Sequence, residues 1–269
     1  MKRFSRFDFV ALAFLTFTLA ACAGDGDKDK LPPEEPVEKL YNKAADLMEK
    51  ADYAAAAKQF AEVERQHPYS QWATRAQLME AYAQYQDMSY DEAMSTLDQF
   101  IQLHPGNSEV GYAYYLRALC MYERIADVRR DQAYAREALK SMQDVINRYP
   151  DTVYAKDAVL KIALINDHMA GAEMEIGRWY AGQKLFIAAV GRFRNVVEKY
   201  QTTSHVPEAL ERLVECYLAL GITSEAKATA AVLGYNFPGS DWYQDAYGLL
   251  VKNNLTPEPD NESWISRIF

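Results

Sequence analysis

The 269-residue sequence has few of the residues from which catalytic and metal sites are built. It contains three cysteines, four histidines and twelve glycines, and the histidines do not stand at the spacings typical of zinc ligands. It has no nucleophile-elbow G-x-S-x-G, no glycine-rich phosphate loop and no H-E-x-x-H motif. We therefore predict that the protein is not an enzyme and holds no metal and no cofactor. Cys120 and Cys216 are far apart in the sequence, and we expect two buried thiols rather than a disulfide.

Positive charge is also scarce, with 29 lysines and arginines against 38 aspartates and glutamates and a net charge of −9. Proteins bind nucleic acid through clustered basic side chains that neutralise phosphates. We therefore expect no nucleic-acid partner.

The sequence does contain an internal repeat of five segments. In each segment an alanine lies twelve residues before a position that ends a helix, and the residue before that position carries a ring. The alanines are Ala56, Ala93, Ala138, Ala189 and Ala226, and the ending positions are Pro68, Pro105, Pro150, Gln201 and Pro238. Apolar residues at offsets of four and seven from each alanine lie on one face of an α-helix. Proline cannot continue a helix, so each segment is predicted to be a helix that stops there.

The spacing of the stops indicates which repeat this is. Successive stops are 37, 45, 51 and 37 residues apart. A period in the middle thirties, made of two helices with a small residue in the second, resembles the tetratricopeptide repeat. We therefore predict an all-α tetratricopeptide-repeat superhelix of about five helix hairpins, closed by a C-terminal capping helix. The alternative is a plain helical bundle with chance periodicity.

The repeats divide the chain into seven predicted segments. They are a signal peptide (1–21), a lipidated flexible tether (22–36), repeats one and two (37–105), repeat three (106–150), repeats four and five (151–238), a capping helix (239–252) and a tail (253–269). The first helix of repeat four is predicted to be extended, over about 154–180. The first helix of repeat two, 75–86, carries Gln77 and Glu80 where large apolar residues are usual. The tail is predicted either to dock on a partner or to fold back on its own protein.

The first 22 residues have the layout of a bacterial secretion signal. Lys2, Arg3 and Arg6 precede an apolar run at 10–19 that is too short to span a bilayer. The run ends in Leu-Ala-Ala-Cys, which resembles the lipobox of bacterial lipoproteins and implies that Cys22 carries diacylglycerol and an N-acyl chain. Several acyl chains anchor a protein stably. The alternatives are a transmembrane anchor and an ordinary signal in which the cysteine is incidental.

Tyrosines recur at the positions of first helices that face the concave groove in this repeat fold. Seven residues at these positions are predicted to line a groove for substrate peptides: Tyr41, Arg75, Tyr82, Tyr85, Tyr112, Tyr115 and Tyr122. Tyrosine combines apolar area with a hydroxyl group, which suits the binding of an extended peptide. The alternative is that these tyrosines fill the space between helices.

The lipobox, the acidic tether and the repeats together resemble the BamD/ComL lipoproteins of the outer-membrane β-barrel assembly machine. The resemblance also rests on Arg148-Tyr149-Pro150 and on the segments at 115–119, 154–158 and 173–180, and it covers about residues 19–250. It implies a scaffold held by its lipid on the periplasmic face of the outer membrane. It also implies three kinds of partner, which are the BamA-type barrel insertase, accessory lipoproteins and unfolded outer-membrane proteins.

The same resemblance implies that C-terminal repeats contact the insertase and that N-terminal repeats recognise substrate. Carried onto this sequence, the candidate insertase contacts are Glu173, Tyr180, Arg192 and Arg194. The alternative for Arg192 is a solvated arginine or an internal salt bridge. One rival function is a repeat lipoprotein that serves cell-wall synthesis or envelope bridging. Another is an envelope enzyme, for which the repeats leave no separate catalytic domain.

Replacing Cys22 by serine tests the lipid anchor. We expect Cys22→Ser to leave a soluble periplasmic protein, because serine lacks the thiol that receives diacylglycerol and the acyl chains supply the membrane affinity. Membrane fractionation with immunoblotting measures the distribution. Recovery of the variant in the outer membrane at the wild-type level would refute lipid anchoring.

Overall fold

A computed structural model describes residues 34–268, and the signal peptide, Cys22 and most of the tether lie outside this range. Within it the chain forms no strand and eleven α-helices: α1 (Val37–Glu49), α2 (Tyr53–Gln66), α3 (Gln71–Gln86), α4 (Tyr90–Leu103), α5 (Val110–Glu123), α6 (Ala133–Arg148), α7 (Val153–Gly182), α8 (Phe186–Lys199), α9 (Val206–Ala219), α10 (Thr223–Asn236) and α11 (Asp241–Lys252). A short 3-10 turn, Ile265–Arg267, follows. None of the helices described is both long and apolar enough to cross a membrane.

Helices α1 to α10 pack chiefly against the helices that precede and follow them in the chain, and α11 packs against both α9 and α10. The pairs α1–α2, α3–α4, α5–α6, α7–α8 and α9–α10 are therefore five hairpins stacked in sequence, and α11 covers the last one. First helices of neighbouring hairpins also touch, as α1 touches α3 and α5 touches α7. This arrangement confirms the predicted tetratricopeptide-like superhelix.

The predicted apolar stripe forms the core of the stack. All five in-phase alanines are 0% exposed. The residues four positions later are at most 1% exposed, and they are Phe60, Leu97, Met142, Phe193 and Ala230. A small side chain at the alanine position lets two helices approach closely, and the residue one turn later fills the space beside it. Four clusters of buried apolar residues follow one another along the chain, so the core is a strip and has no single centre.

The ring residues end the second helix of every hairpin. His67, His104, Tyr149, Tyr200 and Phe237 are the C-terminal caps of α2, α4, α6, α8 and α10, and each backbone N–H bonds to the carbonyl four residues earlier. Three of the helices that follow have side-chain N-caps. Ser70, Thr152 and Ser240 accept a hydrogen bond from the N–H three residues later, at 3.1, 3.2 and 3.2 Å. The helix stops predicted from the sequence are confirmed.

In four hairpins the turn between the two helices places one residue in the left-handed region. Ala51, Met88, Lys184 and Gly221 have φ angles of 57°, 61°, 60° and 75°, and each lies two residues before the second helix. Only glycine adopts this geometry freely, and other residues lose about 1–2 kcal/mol. At Ala51, Met88 and Lys184 the packing of the two flanking helices therefore offsets this cost.

The two polar residues that interrupt the pattern in α3 still face the interior. Gln77 is 2% exposed, and its Oε1 atom has no hydrogen-bond partner among the described residues. Glu80 accepts a hydrogen bond from Gln84 Nε2 at 2.9 Å, and burial raises the pKa of the Glu80 carboxyl to about 7. Helix α3 begins at Gln71, earlier than the predicted start at Arg75.

Hairpins three and four depart from the regular period. Residues 124–132 connect α5 to α6 in place of a tight turn. Helix α7 is 30 residues long, which confirms the predicted extension. Its second half packs closely on α8, since a Cβ atom at Gly177 would lie 2.5 Å from Cε1 of Phe193.

The tail after α11 folds back on the last hairpin. Ile265 is fully buried, and Trp264 Nε1 donates a hydrogen bond to Tyr217 Oη at 3.0 Å. Ser263 Oγ donates to Glu225 Oε2 at 2.6 Å. Of the two predicted alternatives for the tail, the structure shows the one in which it packs on its own protein.

Gly177→Ala tests the close packing of α7 on α8. We expect a loss of about 1–3 kcal/mol in the free energy of unfolding, because the added methyl group must displace the Phe193 ring. Gly248→Ala is the matched control, since an added Cβ in α11 meets no atom within 4 Å. It should stabilise the protein by up to about 1 kcal/mol. Urea unfolding followed by circular dichroism measures both, and equal stability of the two variants would contradict this packing.

Candidate functional site

A cavity of about 730 Å³ lies between α7, α8 and the α5–α6 connection. Three of the four predicted insertase contacts line it, namely Glu173, Tyr180 and Arg192, whereas Arg194 does not. The other lining side chains include three arginines and three apolar groups: Arg129, Arg130, Arg136, Met169, Ile176 and Trp179. The structure therefore brings most of the predicted contact together and adds residues from repeat three.

The arginines around the cavity form loose ion pairs. Their separations are 3.3 Å for Arg192 Nη1 to Glu173 Oε2, 3.4 Å for Arg129 Nε to Glu175 Oε2, and 3.4 Å for Arg136 Nη2 to Asp131 Oδ1. Glu175 is also bonded to Arg178, and this hydrogen bond lowers the pKa of the Glu175 carboxyl. Exposed pairs of this kind contribute little to stability. Their arginines can therefore exchange an internal carboxylate for one on a partner at small cost.

Large apolar side chains on α7, on α8 and in the turn between them are exposed. Trp179 is 60% exposed, Leu185 51% and Ile187 77%. Trp179 packs edge-on against Tyr180, with ring centroids 5.1 Å apart. Exposed apolar patches mark interaction surfaces, and Trp, Tyr and Arg carry much of the binding energy at protein interfaces. Trp179, Tyr180 and Arg192 place all three of these residue types around one cavity.

Arg192 and Arg194 lie on opposite edges of α8, because two positions along a helix correspond to about 200° around its axis. Arg192 points toward α7 and Glu173. Arg194 points the other way and bonds to Glu198. The structure thus separates two residues that the sequence analysis placed in one contact.

An exposed strip of α8 runs between the two arginines. It contains Ile187, Ala188 and Gly191, all of them exposed. A Cβ atom at Gly191 would meet nothing within 4 Å, so the strip is open. We call this strip, with its flanking residues Arg192 and Arg194, the α8 face.

The sequence analysis missed the three arginines that repeat three adds to the cavity. Arg129 and Arg130 belong to the α5–α6 connection, and Arg136 lies in the first turn of α6. The only sign of them in the sequence is the extra length of repeat three, which places an insertion there without showing which surface it meets.

Tyr41 does not belong to the predicted groove. It is 8% exposed and packs against Phe60 and Trp72, with ring centroids 5.3 and 4.8 Å apart. Its ring is part of the core of the first hairpin, so the alternative of interhelix packing holds for this residue. Arg75 is exposed, and its guanidinium lies 5.7 Å from the centroid of the Tyr41 ring.

The other predicted groove tyrosines, Tyr82, Tyr85, Tyr112, Tyr115 and Tyr122, are half-buried. The rings of Tyr112 and Tyr115 lie 5.4 and 5.5 Å from that of Tyr154. Tyr115 donates a hydrogen bond to Asp157. Burial raises the pKa of the Tyr112 and Tyr115 hydroxyls. Tyr85 bonds to Glu123 at 3.3 Å, and Lys161 lies 4.7 Å from the Tyr122 ring. These tyrosines fill space between helices and keep part of each ring accessible.

A second cavity, of about 570 Å³, adjoins these tyrosines. Arg75, Leu78, Tyr112 and Tyr154 are among its lining residues. Glu109 also lines it, so the cavity combines one cation and one carboxylate with apolar and aromatic walls.

His67 and the two described cysteines have structural surroundings. His67 Nε2 lies 2.6 Å from the carbonyl oxygen of Glu35, which ties the start of the described chain to the end of α2. Cys120 and Cys216 are buried free thiols, as predicted, and burial raises the pKa of each to about 12. No group of three or more His, Cys, Asp or Glu residues between 34 and 268 is placed to hold a metal ion.

Comparison with known proteins identifies the family. The model of a family described as YfiO, an outer membrane lipoprotein, matches residues 33–233. The outer membrane protein assembly factor BamD of Caulobacter vibrioides is 52% identical over 249 residues, which cover 92% of this chain and 82% of that protein. The chain belongs to the BamD family. Its relatives of the same name from Rickettsia prowazekii and Neisseria meningitidis serogroup A are 45% and 32% identical, over 90% and 93% of this chain and 96% and 95% of theirs.

The BamD family membership confirms the resemblance that the sequence motifs indicated. Among solved structures, a tetratricopeptide-repeat protein of Thermus thermophilus is 18% identical, with a TM-score of 0.37 over 80% of this chain and 100% of that one.

Proposed function

We propose that the chain is a non-enzymatic scaffold for outer-membrane protein assembly, held by lipid on Cys22 at the periplasmic face of the outer membrane. Its BamD relatives carry the name of outer membrane protein assembly factors. In this proposal the cavity and the α8 face bind the BamA-type barrel insertase, while the first repeats hold unfolded outer-membrane proteins. Accessory lipoproteins bind elsewhere on the same stack of hairpins.

One observation supports the insertase contact above the others. Glu173, Tyr180 and Arg192 come from two helices and converge on one cavity, next to the exposed ring of Trp179. The two alternatives for Arg192 were a solvated arginine and an internal salt bridge, and both describe it in part. It pairs with Glu173, and its side chain is still 38% exposed. An arginine in a loose pair beside an exposed tryptophan suits a partner that presents a carboxylate within an apolar surface.

The second cavity supports the proposed substrate site. Arg75 can pair with a carboxylate, and Tyr112 and Tyr154 offer aromatic faces beside it. An unfolded segment with an apolar side chain next to an acidic group would use both features. Tyr82, Tyr85, Tyr115 and Tyr122 extend this surface along α3 and α5.

The position of Glu35 supports attachment through the first hairpin. Its backbone N–H donates to Gln66 Oε1 at 2.7 Å and its carbonyl contacts His67, so the chain leaves the structure at the end of α2. Cys22 lies twelve residues before Glu34. A chain of that length spans at most about 40 Å, so Glu34 stays within that distance of the lipid.

The alternative function is a repeat lipoprotein for cell-wall synthesis or envelope bridging. The names of the relatives favour assembly of outer-membrane proteins. Affinity purification from solubilised membranes separates the two, since only the assembly function is expected to recover a barrel insertase.

Arg192→Glu tests the insertase contact. We expect it to lower recovery of the insertase in affinity purification at least about tenfold, because reversing the charge opposes a partner carboxylate and leaves Glu173 without its cation. Circular dichroism should be unchanged, since the lost pair is partly exposed.

Arg65→Glu in α2 is the matched control for this variant. Both arginines are 38% exposed, and their carboxylate partners are 24% and 23% exposed, so each reversal removes one partly exposed ion pair. The control should recover the insertase at the wild-type level. Full recovery by folded Arg192→Glu, or an equal loss in both variants, would contradict the assignment.

A further inference from the structure

The tail that covers the last hairpin also reaches the α8 face. Trp264 lies between two helices, with its Nε1 bonded to Tyr217 of α9 and its ring centroid 4.1 Å from Arg194 Cζ of α8. The residues on both sides of it are fixed, since Ser263 is 2% exposed and Ile265 0%. An anchored aromatic ring thus supports one of the two arginines that flank the face.

Two side chains hold the guanidinium group of Arg194, one in the plane of the group and one above that plane. Its Nε and Nη2 atoms donate to Glu198 Oε1 at 3.1 and 2.8 Å, while Trp264 covers one face of the guanidinium. The Nη1 atom makes no hydrogen bond within residues 34–268, and the side chain is 40% exposed. Because a guanidinium carries five donors in a rigid fork, its outer edge remains free for a carboxylate.

We propose that Trp264 is a positioning residue that holds Arg194 ready to bind a carboxylate of the insertase's periplasmic region. This proposal rests on the proposed function of the α8 face. Arg194 would then serve the edge of the face opposite to Arg192. Near the start of α8 this surface carries Ile187 and the small residues Ala188 and Gly191, which lets a partner backbone come close. Asn195 and the exposed Glu198 follow on the same side one to two turns later. The partner surface that fits is one with a small or flat centre and an acidic side chain at each edge.

The Trp264 ring is expected to increase the binding affinity because it orders the Arg194 side chain before the partner binds. A free arginine loses rotamer entropy when it is immobilised at an interface, and a stacked one has already lost it. The indole also attracts the cation directly. From these two effects we expect loss of the ring to weaken binding about 3- to 10-fold. Trp264 lies beyond residues 33–233, which the family model matches, whereas Arg194 and Tyr217 lie within them.

A double-mutant cycle tests the proposal. The full chain is purified in its Cys22→Ser form, and calorimetry measures its affinity for the purified periplasmic region of the insertase. Trp264→Leu keeps apolar bulk and removes the aromatic face, and it should weaken binding about 3- to 10-fold. Arg194→Gln should weaken binding at least as much, and the double variant no more than Arg194→Gln alone, because the ring acts through the arginine. Trp264→Phe should stay within about twofold of wild type, since it keeps an aromatic face.

Two results would overturn the proposal. One is wild-type affinity in Trp264→Leu. The other is a double variant whose loss of affinity equals the product of the two single losses, because independent effects would mean that the tail has a purely structural role. Thermal denaturation checks that each variant is folded, and Trp264→Met takes the place of the leucine variant if that one is not.

The Arg192→Glu variant separates this inference from the proposed function. If Arg192→Glu also binds normally, the insertase assignment fails, whereas a loss there with normal Trp264→Leu removes only the role of the tail.

Discussion

The structure depends on the fact that no hairpin of this chain can bury its own apolar side. The in-phase alanines let neighbouring helices approach until one hairpin covers the next, and the covered strip is the core. Helix α8 shows the consequence. Its buried side, with Ala189 and Phe193, is held between α7 and α9, where Gly177 leaves room for the ring. The opposite side stays uncovered, so the α8 face is a direct result of the stacking.

The repeats also explain why the cavity lies where the period changes. Hairpins one, two and five follow the regular pattern of a short turn between two helices. Hairpin three has a longer connection and hairpin four a longer first helix, and these two additions meet at the cavity that holds Arg129, Glu173 and Arg192. The added part of α7 contributes Ala170 and Met174 to the core strip. The two additions also supply charged and aromatic groups that line the cavity.

Much of this fold could be predicted from the sequence, because a helix and its stop are local features. The alanine phase, the ring before each stop and the extension of α7 all follow from spacing along one segment. The left-handed turns at Ala51, Met88 and Lys184 could not be predicted, since no glycine marks them and packing alone selects that geometry.

The candidate site was only partly predictable for the same reason. Family resemblance named Glu173, Tyr180 and Arg192, but it grouped Arg194 with them, although a spacing of two residues places it across the helix. The arginines of repeat three depend on how the α5–α6 connection folds over α7. The tail contact depends on Trp264 and Tyr217, which are 47 residues apart. Burial of Tyr41 depends on Trp72 of the next hairpin in the same way. Contacts between hairpins were therefore the part that the sequence did not reveal.

We propose that the insertase binds the side of α8 that stacking leaves open. Photo-crosslinking in living cells tests it most directly, with a photoreactive residue placed at Ala188 or, as control, at Glu92. Both positions are exposed and precede an in-phase alanine by one residue. The account predicts a crosslink to the insertase from position 188 and none from position 92. No insertase crosslink from 188, or crosslinks of equal yield from both positions, would contradict it.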